Sequence, residues 1–415
     1  MTDTLIRPFA ALRPATNRAQ DVAAPPYDVL STEEARAMAG GRPWSFLHIS
    51  KPEIDLAPGT DPYGEEVYAK AAANMAAMVE AGVLVRDDKP CYYVYRLVMG
   101  DHIQTGIVAT GSVAAYEANR IRRHEHTTPV KEDDRVRQIE AVNAQTGPVF
   151  VTHRADQTVA AIVGRASAGA PNLQATLDNG VEHTLWVVDD NREIENLTNA
   201  FEAMEAIYIA DGHHRSAAAS RVTAARRQAN PDHTGDESYN SFLVVSFPDD
   251  EVLILDYNRV LKDLNGLSAA DFLARIEGEF TVAEQDAPVR PDGAGRFGMY
   301  VDGRWYALTV KGDLPPESQP VARLDISLLG DRLLEPVLGI SDPRTDKRID
   351  FVGGARGLEE LQRRVDSGDW AVAFALYPTS LADLMAVADA GEVMPPKSTW
   401  FEPKLADGIV SLVLD

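Results

Sequence analysis

The sequence predicts a mixed α/β fold. Apolar, β-rich runs of strand length alternate with Ala-rich or amphipathic runs of helix length between residues 148 and 227. At 415 residues the chain exceeds what one simple core usually holds, so we expect two domains or one elaborated α/β domain. The apolar content of 45% and the charged content of 25% are those of a water-soluble globular protein.

The first third of the chain predicts extended segments, helices and one hairpin. Prolines stiffen the opening segments, and residues 31–36 are typical of a capped helix start. Residues 61–81 predict a longer helix. Strands at 92–99 and 103–112, separated by Gly-Asp-His, predict an antiparallel hairpin.

The rest of the chain continues the alternation. A polar segment at 120–129 separates the hairpin from the central region. The predicted elements of that region are a helix at 131–143, a strand at 148–152, a helix at 157–167, a strand at 184–188, a helix at 193–205, a strand at 206–210 and a helix at 216–227. Later segments predict a second hairpin at 242–247 and 253–257, a small α/β region at 266–312, a buried strand at 372–377 and a helix at 380–390.

Charge and cysteine content narrow the function classes. A net charge of −23 argues against a broad nucleic-acid surface, because duplex binding depends on Lys and Arg neutralising phosphates. Cys91 is the single cysteine, so no intrachain disulfide forms and a reducing cytoplasm is the predicted compartment. The N-terminus does not resemble a signal peptide, and no apolar run reaches the length of a membrane span. The expected partner is a small-molecule substrate, with no nucleic acid and no membrane; a homo-oligomer is compatible with the sequence.

The densest cluster of chemically capable residues follows the apolar run 206–210. A strand ends there, a glycine lets the chain turn, and a helix follows. The first turn of a helix leaves backbone N–H groups unpaired and carries partial positive charge, so it binds anions such as phosphate. A simpler interpretation makes the glycine a turn residue, the aspartate a helix cap and the histidines polar surface. The sequence favours a polyphosphate site formed by Asp211, Gly212, His213, His214, Arg215 and Ser216.

Residues 122–127, Arg-Arg-His-Glu-His-Thr, form a second dense cluster. In an extended strand His124 and His126 would face one side and Glu125 the other. Three roles remain open for this cluster: a general base or magnesium-organising carboxylate at Glu125, a structural salt bridge, and a zinc site. His-x-His alone supports zinc weakly, because a zinc site needs further ligands at known spacing. The candidate substrate-binding residues here are Arg123, His124, His126 and Thr127.

Residues 394–404, Met-Pro-Pro-Lys-Ser-Thr-Trp-Phe-Glu-Pro-Lys, place lysines and aromatic residues between rigid prolines. This segment is either a strap that packs its aromatic residues onto the domain or a lid over a ligand. Lys397 is its candidate substrate-binding residue. The polar loops 256–259 and 344–350 have no specific signature.

Five of these segments together resemble one bacterial and archaeal family, the domain-of-unknown-function family ten-fifteen. The resemblance runs nearly end to end, and the family name carries no activity. The segments that carry it are residues 7–14, 24–29, 123–127, 210–215 and 394–404.

A more remote resemblance suggests a biochemical function. Asp-Gly-His-His-Arg followed by a helix is similar to the phosphate-binding turn of the ParB and sulfiredoxin superfamily, and most closely to that of its free-serine kinases. Those kinases also carry a His-Glu element upstream, which residues 123–125 resemble. The resemblance implies that Glu125 is a catalytic carboxylate near the substrate hydroxyl and that Asp211 is the second catalytic carboxylate and a magnesium ligand. It also implies that Gly212 through Arg215 form the phosphate cradle.

The same resemblance implies a division of the chain. A ParB/sulfiredoxin-like nucleotide-binding core would occupy residues 119–265, with an insertion around residues 153–183. Large elaborations would flank it, an N-terminal α/β region at residues 1–118 and a C-terminal α/β region with the terminal strap at residues 266–415.

Two functions are therefore open. One is a nucleotide-dependent kinase that phosphorylates a small hydroxyl metabolite such as serine, using ATP (or ADP or pyrophosphate) and Mg²⁺. The other is a nucleotide-binding regulatory or scaffolding protein without efficient catalysis. Two carboxylates beside a phosphate cradle favour the kinase, because phosphoryl transfer needs charge neutralisation and an oriented nucleophile.

Overall fold

A computed structural model describes residues 4–415, so residues 1–3 of the predicted N-terminal region lie outside the described residues. By its contacts the chain forms two compact units. The first contains the described residues up to Val252 together with Pro403–Asp415, and the second contains Leu253–Glu402. The division into three regions made from the sequence stays a prediction.

Strands and helices alternate along the first unit. Its strands are β1 (Ile6–Arg7), β2 (Leu12–Pro14), β3 (Leu84–Arg86), β4 (Tyr92–Met99), β5 (His102–Ser112), β6 (Ile121–Arg122), β7 (Ala144–Gln145), β8 (Val149–His153), β9 (Leu173–Thr176), β10 (Glu182–Val188), β11 (Ile207–Asp211) and β12 (Ser241–Pro248). Its helices are α1 (Ala19–Val22), α2 (Thr32–Ala39), α3 (Leu47–Ser50), α4 (Glu65–Glu80), α5 (Val113–Glu117), α6 (Pro129–Val142), α7 (Gln157–Ala166), α8 (Asn191–Glu202) and α9 (His213–Ala229).

A nine-stranded mixed sheet organises the first unit, in the order β6-β11-β8-β12-β5-β4-β10-β9 with β1 beside β5. Its pairs are antiparallel except β6 with β11 and β8 with β12. Apolar strand residues such as Ile107 and Ile209 are buried in one core with Ile162 of α7 and Leu197 of α8. Burial of these apolar surfaces is the main force that holds helices on the sheet. The predicted mixed α/β fold is confirmed.

The second unit is built on a separate sheet. Its elements are β13 (Leu253–Leu255), β14 (Tyr257–Leu261), α10 (Ala269–Ile276), β15 (Phe280–Gln285), β16 (Arg296–Val301), β17 (Arg304–Val310), α11 (Asp325–Leu329), a π-helical turn (Gly330–Leu334), β18 (Ile349–Gly353), α12 (Gly357–Asp366), β19 (Val372–Leu376), α13 (Leu381–Asp389) and β20 (Trp400–Glu402). Six strands pair antiparallel in the order β15-β17-β16-β19-β14-β18, and β13 pairs with β20.

The last residues of the chain return to the first unit. The final strand, β21 (Leu412–Val413), pairs antiparallel with β7. Upstream of it, the backbones of Asp407 and Ala24 exchange two hydrogen bonds of 3.1 and 2.9 Å. Gly408 has φ +83°, and a Cβ there would lie 2.7 Å from the Cβ of Phe46. This tight packing fixes the position of the two residues, Lys404 and Asp407, that reach the candidate site.

Several local predictions are confirmed. Ser31 caps α2 in a reciprocal capping box with Glu34, and β4 and β5 form the expected antiparallel hairpin. Among the described residues, no helix has the length and apolarity that a bilayer crossing requires.

Three local predictions are wrong. The helix expected from residue 216 begins at His213, because Gly212 already caps it. The second hairpin does not form, since β12 pairs with β5 and β8 while β13 pairs with β20. The strand that would place His124 and His126 on one side covers only Ile121–Arg122, and His124 is buried whereas His126 is exposed.

A pair of glycine variants tests the docking of the last residues. Gly180 and Gly408 both have positive φ (+80° and +83°), but only Gly408 packs against a side chain, that of Phe46. Gly180→Ala should lower the free energy of unfolding by about 1–2 kcal/mol through backbone strain. Gly408→Ala should cost a further 1–3 kcal/mol or so, because its methyl group overpacks the site. Urea unfolding of both variants measures the difference, and equal losses would contradict the packing.

Candidate functional site

The turn between β11 and α9 is the centre of the candidate site. Gly212 is the N-cap of α9, with φ +109° and ψ 26°. A Cβ at this position would lie 3.2 Å from the Cα of Val149, so glycine is the residue that fits both the backbone and the space. The Gly212 carbonyl accepts hydrogen bonds from the N–H groups of Arg215 and Ser216. The N–H groups of the residues just before them have no helical carbonyl to donate to, because the helix has not yet begun four residues earlier. This end of a 17-residue helix therefore attracts anions.

Asp211 lies at the end of β11 between two cations. Its Oδ2 accepts a 3.0 Å hydrogen bond from the Nζ of Lys404, and its Oδ1 accepts one of 3.3 Å from the Nη2 of Arg215. Burial alone would raise the pKa of this carboxyl, but the attraction of Lys404 and Arg215 outweighs it and lowers the pKa. Asp211 is therefore an ionised carboxylate with both oxygens engaged.

Arg215 is anchored inside the protein. Its Nη1 donates to the carbonyl of Pro148, and its Nη2 lies 3.9 Å from the Oδ2 of Asp28 as well as contacting Asp211. The side chain is only 12% exposed. The predicted phosphate contact by Arg215 stays a prediction. In the structure, the contacts of this side chain hold the turn against the start of β8.

Two histidines connect the turn to the polar cluster upstream. The Nε2 of His213 accepts a hydrogen bond from the backbone N–H of His124 at 3.4 Å. The Nε2 of His214 accepts one from the N–H of Thr128 at 3.1 Å, across 86 positions of sequence. The Nδ1 of His213 lies 3.6 Å from an oxygen of Glu125. The two clusters found in the sequence therefore meet at the first turn of α9.

The protonation of this contact follows from burial. Desolvation lowers the pKa of His213 well below its ordinary value and that of His124 to about 4, so both rings are neutral at physiological pH. Because the Nε2 of His213 accepts a hydrogen bond, its proton resides on Nδ1, which faces Glu125. The imidazole thus orients an exposed carboxylate.

The same residues are the candidate metal ligands of the described chain. One ligand atom each from His124, Glu125 and His213 lies within 4.8 Å of the others. Two imidazoles and one carboxylate suit zinc or iron better than magnesium, which prefers oxygen ligands. Binding through the Nδ1 of His213 would also displace the proton that faces Glu125. The 3.6 Å contact therefore fits an electrostatic pair of an imidazole N–H and a carboxylate better than a metal centre.

The other predicted site residues occupy different environments. The guanidinium of Arg123 lies 4.8 Å from the ring centre of Tyr116, and Thr127 donates to Glu132 through its hydroxyl. Ser216 is fully buried, and its hydroxyl donates to the carbonyl of His213. Ser216 therefore stabilises the helix start from within.

The two lysines of the 394–404 segment belong to different units. Lys397 lies in the second unit with a φ of +60°, and its ammonium lies 5.7 Å from the ring centre of Tyr257. Lys404 lies in the first unit and pairs with Asp211. The sequence analysis selected Lys397 alone, and its assignment to substrate binding stays a prediction.

A small cavity of about 30 Å³ adjoins the turn, and sequence reasoning missed most of its lining. Its charged and aromatic walls are Tyr27, Arg135, Arg215 and Asp407. The guanidinium of Arg135 lies 3.9 Å from the ring centre of Tyr27. Burial raises the pKa of Asp407 to about 7, against the attraction of Arg215. Tyr27 and Arg215 lie in segments that carry the family resemblance, which was the one signal that could have identified them, whereas Arg135 and Asp407 lie outside those segments.

A family model described as a protein of unknown function (DUF1015) matches residues 6–327, and the chain belongs to this family. No curated protein matches the sequence.

Several solved structures are remotely similar to this chain. A free serine kinase in complex with AMP is 13% identical, with a TM-score of 0.37 over 75% of this chain and 91% of the kinase. SbnI with a C-terminal truncation from Staphylococcus aureus is 13% identical, with a TM-score of 0.38 over 73% of this chain and 86% of that one. A conserved hypothetical protein from Pyrococcus furiosus is 14% identical, with a TM-score of 0.34 over 74% and 95% of the two chains. Likeness at this level carries no argument about activity.

Asp407 provides a pH-dependent test of the cavity beside the turn. Burial raises the pKa of Asp407 from 3.8 to about 7, so between these pH values the folded chain holds a proton that the unfolded chain releases. The free energy of unfolding should therefore fall as the pH rises through this window, by up to about 4 kcal/mol. Asp407→Asn should remove this part of the pH dependence.

Urea unfolding between pH 4 and pH 8 measures the effect, with Asp236→Asn, an exposed aspartate, as the control. Parallel pH profiles for the wild type and Asp407→Asn would show that the folded state does not retain this proton.

Proposed function

We propose that this member of the DUF1015 family is a nucleotide-dependent kinase that transfers phosphate to the hydroxyl group of a small metabolite. The observation that carries the proposal is the 3.6 Å contact between the Nδ1 of His213 and Glu125. It holds an exposed carboxylate beside the first turn of α9, where the helix attracts anions. An oriented carboxylate next to an anion-binding helix end is the arrangement that phosphoryl transfer requires.

The donor phosphates would bind at the start of α9. The backbone N–H groups of its first turn have no helical partner and lie in this region, as does the half-buried ring of His214. Lys404, which pairs with Asp211, adds a positive charge nearby. Charge-assisted hydrogen bonds from such groups are the strong contacts of phosphate sites. ATP, ADP and pyrophosphate all present the polyphosphate that this arrangement would bind.

Glu125 is the residue proposed to act on the acceptor. Its side chain is 49% exposed, so a substrate hydroxyl could reach it, and the His213 N–H orients it from the protein side. A carboxylate in this position would accept the hydroxyl proton as the oxygen attacks the terminal phosphorus, while the P–O bond to the rest of the donor breaks and ADP, AMP or phosphate leaves (from ATP, ADP or pyrophosphate respectively). L-serine and other small alcohols are the first acceptors to test.

Magnesium would serve to neutralise the phosphate charge during transfer. Mg²⁺ in nucleotide sites is usually held by one or two carboxylates and the phosphates themselves. Asp211, the magnesium ligand suggested by sequence, would have to give up a hydrogen bond to Lys404 or Arg215.

A nucleotide-binding regulatory protein is the second candidate. The observation that favours it is that both oxygens of Asp211 and the guanidinium of Arg215 are already engaged within the protein. Such a site could bind a nucleotide without turning it over. Turnover measurements separate the two functions.

Glu125→Gln tests the kinase directly. The amide keeps the size of the side chain but loses its charge and basicity, so phosphate transfer should fall by about 100-fold or more while nucleotide affinity is retained. The assay combines each donor with Mg²⁺ and a panel of hydroxyl acceptors, beginning with L-serine. Glu195→Gln, at an exposed position of α8, is the matched control. Absence of transfer by the wild type to every acceptor, together with retained nucleotide binding, would favour the regulatory protein.

Lys404→Met tests the donor side of the site. Loss of the ammonium removes the 3.0 Å partner of Asp211, so the repulsion between that carboxylate and the phosphates should weaken nucleotide binding by roughly 1.5–3 kcal/mol. Lys397→Met is the comparison, because sequence reasoning selected that lysine instead. Calorimetric titration with ATP and Mg²⁺ measures both variants. Weakened binding in Lys397→Met with unchanged binding in Lys404→Met would reverse this assignment.

A further inference from the structure

Arg259, on strand β14 of the second unit, carries a buried charge that has no acidic partner within the described part of the chain. Its side chain belongs to a residue only 2% exposed, and among the described residues no carboxylate oxygen lies within 4.0 Å of it. Its guanidinium donates instead to the backbone carbonyls of Tyr257 and Lys397, the latter at 2.8 Å. It also lies 5.4 Å from the ring centre of Phe351. Burial lowers its pKa to about 9, so it remains charged at neutral pH.

A buried charge without a counter-ion is costly, by several kcal/mol per ion. Carbonyl dipoles and aromatic faces offset part of this cost. A full negative charge would offset far more, because Coulomb attraction is strong where water is excluded. Arg259 is therefore a binding group that residues 4–415 leave without an anion.

Arg259 lines a cavity of about 160 Å³ in the same unit. The other walls are mainly apolar, and they include Ile326, Leu334, Ile349, Phe351 and Pro395. An apolar protein cavity of about 150 Å³ is large enough to bind benzene. Ser327 also lines the cavity, and its buried hydroxyl oxygen has no hydrogen-bond partner among the described residues. The cavity thus has room for one small organic molecule and a second polar group to meet it.

The border of the cavity limits the charge of its ligand. Asp331 and Glu335 line it and are exposed to solvent. Two carboxylates at the mouth would repel a dianion such as phosphate more strongly than a monoanion. The neighbouring π-helical turn, Gly330–Leu334, supplies Asp331 and part of the apolar wall. Single π-helical turns occur frequently at functional sites.

We propose that this cavity binds a small organic monocarboxylate. The carboxylate pairs with Arg259, and an apolar body about the size of a benzene ring occupies the space between Ile326 and Phe351. Residues 395–397, from the segment interpreted from sequence as a strap or a lid, complete the site: Pro395 and Pro396 line the cavity, and the carbonyl of Lys397 positions Arg259. The site lies wholly within the second unit and does not depend on the proposed kinase activity.

Benzoate, benzamide and inorganic phosphate are the probes that test the proposal on the full chain. Calorimetric titration, supported by ligand-observed NMR, should detect benzoate binding and much weaker binding of benzamide, which has the same shape without the charge. Phosphate should bind more weakly than benzoate because of the acidic border. Absence of benzoate binding, equal affinity for benzamide, or stronger binding of phosphate would each overturn the proposal.

Two sets of variants locate the site. Arg259→Met should weaken benzoate binding at least about tenfold, whereas Arg304→Met, at a surface arginine of β17 paired with Glu284, should leave it unchanged. Unchanged benzoate affinity in a folded Arg259→Met protein would overturn the proposal. If that variant does not fold, the double variant Asp331→Asn/Glu335→Gln tests whether benzoate binds at this cavity. It should tighten benzoate binding severalfold at low ionic strength, and an unchanged affinity would contradict binding at this cavity.

Discussion

The ion pair between Asp211 and Lys404 is the interaction on which the candidate site depends. It joins residues 193 positions apart and neutralises a carboxylate that burial would otherwise protonate. With Asp211 held in this way, β11 ends in a fixed place and Gly212 can turn directly into α9. The turn then presents His213 and His214 to the backbone of residues 124–128. A change in charge at Asp211 would therefore alter the orientation of Glu125 by shifting the backbone of the turn, and not by direct contact between the two carboxylates.

The parts of this site that were predictable from the sequence are those encoded locally. A glycine between a buried strand and an Ala-rich run predicts the turn, because few other residues adopt φ +109° beside a neighbouring backbone. The capping box at Ser31 and the hairpin of β4 and β5 are local in the same sense. In each case the signal and the structure lie within about 20 residues of each other.

The parts that could not be predicted depend on contacts between distant segments. The run at 253–257 has the apolar pattern of a hairpin partner for β12, yet pattern does not specify which strand pairs with which. β13 instead pairs with β20, which lies near the end of the second unit. Lys397 and Lys404 lie in the same proline-rich segment, and their local sequence does not indicate which unit each belongs to. Only the folded path of the chain places Lys397 in the second unit and Lys404 in the first. Asp407 gives no local sign of its burial beside Arg215.

The late position of Lys404 and Asp407 has a consequence for biosynthesis. The first unit is encoded in two pieces, and the second piece, Pro403–Asp415, follows the whole of the second unit. Domains generally begin to fold as they leave the ribosome, with the N-terminal parts first. During translation Asp211 and Arg215 are therefore synthesised before their partners from residues 403–415 exist. The candidate site is completed only after residues 403–415 have left the ribosome, so any binding capacity of this turn begins later than the synthesis of the second unit.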